Sequence, residues 1–179
     1  MKFILRIALL SLLALTSCTA PQAPKPNLEQ LVSNQASMTK TLKALDPDLS
    51  VQILKTGVQN DKYVRIIALK LSNTPVIAAI SQTSLKNPMF KDIIANADAT
   101  PIGVKLFAPN SPIKRRADMQ ISEVKLSSIK NPVLHNYLAS LGYTDKDVII
   151  KRYSQFYYQK QTLDLIEYIL PSINQFTTH

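Results

Sequence analysis

The chain has 179 residues, with 21 Lys and Arg against 12 Asp and Glu, a net charge of +9, three glycines and one cysteine. A single cysteine excludes an intramolecular disulfide and thiolate metal ligation, and so few glycines exclude a glycine-rich phosphate cradle. The basic residues are scattered and cluster only at Lys114–Arg116 and Lys151–Arg152, which predicts a solvated or anionic-lipid-facing surface and no nucleic-acid partner.

The N-terminus reads as a lipoprotein signal. Lys2 and Arg6 precede the apolar stretch Ile7 to Leu15, and Leu15-Thr16-Ser17-Cys18 closes it with small residues before a cysteine. Residues 1–17 are the expected signal peptide, and Cys18 the expected lipidated first residue of the mature chain. The apolar run is too short for a permanent span. Thr19 after the cysteine favours the periplasmic face of the outer membrane, so the expected localisation is the bacterial cell envelope. Removing residues 1–17 leaves 19 basic against 12 acidic residues, a mature charge of +7. Residues 18–27 form the tether, in which Pro21, Pro24 and Pro26 predict a stiff extended spacer.

Residues 28–179 are the predicted domain. Leu28, Leu31, Val32, Met38, Leu42 and Leu45 recur at helical spacing until Asp46-Pro47, which predicts one amphipathic helix. Strands follow at Leu49 to Leu54, Tyr63 to Leu71 and Val76 to Ser81, the last two joined at Ser72-Asn73. Asn87-Pro88 and Thr100-Pro101 predict two short helices reaching Ala95 and Phe107. A further strand runs near Met119 to Leu126, then a helix after Asn131-Pro132 that Gly142 ends. Strands Val148 to Tyr158 and Gln161 to Leu170 close the chain. The predicted fold class is α+β, one antiparallel sheet with short helices packed on one side.

Catalytic constellations are sparse. His135 and His179 have no ligand partner at metal spacing, so no metal or cofactor is expected, and no G-x-S-x-G elbow or Cys-His pair is present. The tyrosines of the C-terminal third suit cross-strand pairing. If the last hairpin turns at Gln159-Lys160, one face carries Ile150 with Ile169, Arg152 with Glu167, Ser154 with Leu165 and Phe156 with Leu163. An arginine and a carboxylate then sit in the middle of the apolar face. Charges there either form a structural cross-strand pair or serve a site.

Three segments resemble chorismate lyase, which splits chorismate into 4-hydroxybenzoate and pyruvate, and the related UTRA-like effector-binding domains of GntR-type regulators. Arg65-Ile66-Ile67-Ala68-Leu69 through Pro75-Val76-Ile77-Ala78 resembles the family's first hairpin. Thr100-Pro101-Ile102-Gly103, Leu106-Phe107 and then Arg116 resemble its T-P-L-G-x-x-L-F segment. Arg152-Tyr153-Ser154 through Glu167-Tyr168-Ile169-Leu170-Pro171 resembles its closing R-x-S…E-x-x-L-P hairpin. The resemblance implies a ligand site enclosed by helical flaps, with Glu167 at the family's glutamate. Ile80 stands where the family has its carboxylate-clamping arginine, and Arg65 is placed opposite Ile80. Glu167, Arg152 and Arg65 are therefore the candidate ligand-binding residues, with no catalytic residue assigned. The expected function is an envelope lipoprotein, non-catalytic, that binds a small aromatic or carboxylated ligand. The alternatives are an assembly lipoprotein binding an envelope protein partner and an active chorismate pyruvate-lyase.

The lipobox generates one prediction. Intact-mass analysis of the membrane fraction should find a chain beginning at a lipid-modified Cys18, and Cys18→Ala should release or mislocalise the protein.

Overall fold

Two hairpins build the first half of the sheet, and their turns hold residues that tolerate positive φ. Asn60-Asp61 (φ 45° and 58°) and Ser72-Asn73 (φ 43° and 66°) are the central pairs of two-residue turns whose twist matches that of the flanking strands. The computed structural model describes residues 26–178, so the signal peptide, Cys18 and tether residues 18–25 lie outside the described residues. Its elements are α1 (Leu28–Ser33), α2 (Met38–Leu45), β1 (Ser50–Gln59), β2 (Lys62–Leu71), β3 (Thr74–Ser84), α3 (Pro88–Ala95) and α4 (Gly103–Leu106). They continue with β4 (Lys114–Arg115), β5 (Gln120–Val124), α5 (Pro132–Ser140), β6 (Ile149–Tyr158) and β7 (Gln161–Ile169). The strands form one antiparallel seven-stranded sheet in the order β1-β2-β3-β7-β6-β4, with β5 also paired to β6. A parallel bridge joins Asn27 to Thr178, bringing the start and finish of the domain together.

The α+β class and single antiparallel sheet are as the hairpin pattern predicts, but helices cover both faces. On one face α1 to α4 pack Leu31, Leu42, Phe90 and Leu106 against Ile67, Ile77, Phe156 and Leu163. On the other, α5 sets Leu134 and Leu138 against Val64, Ile66 and Ala78. Alternation along the strands explains this: β2 and β3 are apolar on both sides, so both must be covered.

Residues 28–45 form two helices where the spacing predicts one. Asn34 accepts from the Ala36 N–H at 2.7 Å, and the Ser37 hydroxyl caps α2 by accepting from Lys40. Both side chains offer the backbone an alternative to helix, and the chain turns at Asn34–Ser37. The helix expected from Thr100-Pro101 starts two residues later, at Gly103. At α5 the signals hold: Asn131 caps Leu134, Pro132 opens the helix, and Gly142 (φ 89°) follows its end.

Gly103 is where α4 meets α2. A Cβ added there would lie 2.8 Å from the Thr39 hydroxyl oxygen and 3.2 Å from that of Ser37. Gly103→Ala should therefore lower stability by about 1–3 kcal/mol in chemical denaturation despite alanine's better helix propensity, and Thr39→Ala should recover part of the loss.

Candidate functional site

The β6–β7 hairpin turns at Gln159-Lys160, and the expected pairs all form: Ile150 with Ile169, Arg152 with Glu167, Ser154 with Leu165, Phe156 with Leu163. Arg152 and Glu167 face α1 to α4 and are almost wholly buried, 2% and 4% exposed. The Arg152 Nη2 lies 2.6 Å from Glu167 Oε2, and Nε donates to the same oxygen at 2.7 Å. Nη1 donates to the Asn34 carbonyl at 3.2 Å. The pair thus ties two sheet strands to the α1–α2 linker.

Arg115, which was expected only as part of a surface charge cluster, joins them. From β4, opposite Phe156, its Nη2 donates to the carbonyl and side-chain oxygens of Gln35. Its guanidinium stands 5.5 Å from the Phe107 ring centre, and Phe107 meets Phe156 edge-to-face. Burial lowers the Arg115 pKa and Arg152 adds to the shift, while Glu167 opposes it. Neighbouring Arg116 is exposed, so the inward position falls one residue before the one the resemblance points to.

Arg65 shares this face from β2. It is 1% exposed, and its Nη2 donates to the carbonyls of Asp98 at 2.5 Å and Thr100 at 3.1 Å. Burial lowers its pKa, and Asp98 opposes the shift. Arg65 therefore holds the α3–α4 linker as Arg152 and Arg115 hold the α1–α2 linker.

Ile80 requires a correction. It pairs with Ile66 and faces α5, whereas Arg65 pairs with Ser81. The register shifts between Leu69 and Lys70, where Val76 is the extra residue of a bulge in β3. Pro75 has no N–H to continue the ladder, and the Val76 carbonyl instead accepts from Leu170 at 2.9 Å. A one-residue slip reverses sidedness, so Ile80 lies on the sheet face opposite Glu167.

The floor between Arg65 and Arg152 is built from two serines flanking a leucine. Arg65 pairs with Ser81, Ser81 with Leu165 and Leu165 with Ser154, one transverse row across β2, β3, β7 and β6. Among the described residues, the buried side-chain polar atoms lacking a hydrogen-bond partner are Arg65 Nη1 and Ser154 Oγ, the two ends of this row. An unsatisfied buried donor costs about 1–3 kcal/mol, so each of these groups would gain from an acceptor, whether ordered water or a ligand. Three arginines face one glutamate here, so the local charge favours an acceptor.

The ion pair generates a prediction about stability. Arg152→Met and Glu167→Gln should each cost about 3–5 kcal/mol in denaturant titrations, because each strands a buried partner, and the double variant should cost less than the sum.

No family model and no curated protein matches this chain. A solved structure similar to it is the C-terminal domain of a histidine utilization repressor from Pseudomonas syringae pv. tomato, 7% identical, covering 73% of this chain and 92% of that one, with a TM-score of 0.43.

Proposed function

We propose that this protein is an envelope lipoprotein whose domain binds a small carboxylated molecule between the helical roof and the row Arg65, Ser81, Leu165 and Ser154. The observation that carries the reading is that two buried, unpartnered polar groups stand at the two ends of one row. Strand spacing of about 4.8 Å puts the Cα atoms of Arg65 and Ser154 roughly 14 Å apart, and the arginine side chain shortens the span to that of a small organic acid. Arg65 supplies a charge-assisted donor, Ser154 a hydroxyl, and Leu165 an apolar surface between them. Ser81 and Ala79, beside it, are small side chains. The roof segments at Asn34-Gln35 and Asp98–Thr100 rest on arginines through backbone carbonyls. Cys18 would hold the domain at the membrane, and the tether would set its height.

The domain has no group in this site poised as acid, base or nucleophile beyond Glu167, whose Oε2 is already held twice by Arg152. The reading is therefore a binding protein and not a lyase.

Titration with 4-hydroxybenzoate, followed by calorimetry, tests it. Arg65→Met should weaken binding by roughly 10- to 150-fold, the loss of one charge-assisted contact. Ser154→Ala removes an unpaired buried hydroxyl, so stability should hold or rise while affinity falls. Unchanged affinity in both variants would overturn the reading. Chorismate should give no 4-hydroxybenzoate above background, and robust turnover would restore the lyase alternative.

A further inference from the structure

The sheet face turned toward α5 is only partly covered, and a cleft of ≈ 890 Å³ opens between the β1–β2 turn and the start of α5. Its floor is apolar, with Val64, Ile80 and Ile166 side by side across β2, β3 and β7. Three lysines from three different elements rim it: Lys62 from β2, Lys130 from the segment before α5, and Lys151 from β6. Lys62 lies 4.0 Å from Asp164, while Lys130 and Lys151 have no carboxylate partner among the described residues.

Tyr168 adds the decisive feature. It lines the cleft directly across the ladder from Lys151 and is only 7% exposed. Its hydroxyl has no hydrogen-bond partner among the described residues. Burial raises its pKa further above neutrality, where a tyrosine is in any case a protonated donor. The ring is buried while the hydroxyl opens into the cleft, where it is free to donate to a bound acceptor.

We propose that this cleft is a second binding site, distinct from the one beneath α1 to α4, and that it takes an amphiphilic anion. The apolar body would lie on Val64, Ile80 and Ile166. The anionic head accepts from Tyr168 and is flanked by Lys130 and Lys151. The volume suits a molecule of drug or fatty-acid size. Neither feature alone specifies such a ligand: lysines alone would take any anion, and the floor alone any oil. Their meeting in one cleft, with the Tyr168 hydroxyl opening into it, selects a molecule that is both.

The test uses the chain from residue 18 onward with Cys18→Ser, titrated with decanoate, decanol and acetate. Decanoate should bind with one equivalent per chain, decanol at least about 10-fold more weakly, and acetate more weakly still. Tyr168→Phe should weaken decanoate binding several-fold, and Lys130→Gln with Lys151→Gln about 10-fold or more, with circular dichroism and denaturation midpoint as in the parent. Arg65→Met should leave decanoate binding unchanged, which separates this site from the one proposed above. Equal binding of decanoate and decanol overturns the proposal, as does a double lysine variant that binds like the parent. Binding only to phosphatidylglycerol vesicles, with none to free decanoate, would likewise overturn it and make the lysine rim a membrane-facing patch.

Discussion

A charge placed in an apolar interior must be answered, and the burial of Arg152 beside Glu167 sets the terms for one whole side of this molecule. The pair cannot be solvated, so both remaining faces of the guanidinium must find acceptors. Glu167 takes two of its donors, and a third goes to the Asn34 carbonyl. That last bond is possible only because α1 and α2 are separated by a turn that leaves carbonyls free at Asn34 and Gln35. A continuous helix would have consumed those carbonyls internally. The break in the helix and the charge in the sheet are thus two halves of one arrangement, and Arg115 reinforces it from the sheet's edge.

The same logic recurs at Arg65, where an arginine reaches from the sheet to carbonyls of a linker between helices. Side chains that would be liabilities in an all-apolar core act here as pins between layers. Pins of this type fix position without filling space, and the small residues Ala79, Ser81 and Ser154 lie between them. The opposite face has no buried arginine and is packed conventionally where α5 covers it. Beyond α5 it turns polar, and Tyr153 and Gln155 both donate to Asp164, at 2.8 and 2.9 Å. Burial and the Asp164 hydrogen bond push the Tyr153 pKa up to about 12.

The parts of this architecture that were legible in the sequence are those governed by local rules. The last hairpin follows from period-two alternation and a two-residue turn, so its register and the Arg152–Glu167 pairing are local properties of the sequence. Asn131, Pro132 and Gly142 bracket α5 because capping is a property of a few adjacent residues. Tertiary context decided the rest. Periodicity merged α1 and α2 since Asn34 and Ser37 compete with helix only through their side chains. Val76 gave no sign of being an extra residue, because an apolar bulge between strands reads like ordinary strand, and that single residue moved Ile80 to the other face. β4 is two residues long and exists only by pairing with β6. Arg115 was therefore indistinguishable from its charged neighbours.

The bridge between Asn27 and Thr178 means that the order of elements along the chain is not imposed by the shape they adopt. Ends that touch can be joined by a short connection at small entropic cost, and new ends can be opened at an exposed turn such as Asn60-Asp61. A chain so rewired would begin with β2 and finish with β1, yet every ladder pairing would survive. Tension applied between Asn27 and Thr178 would be borne first by that bridge and the short segments beside it, leaving the seven strands unloaded.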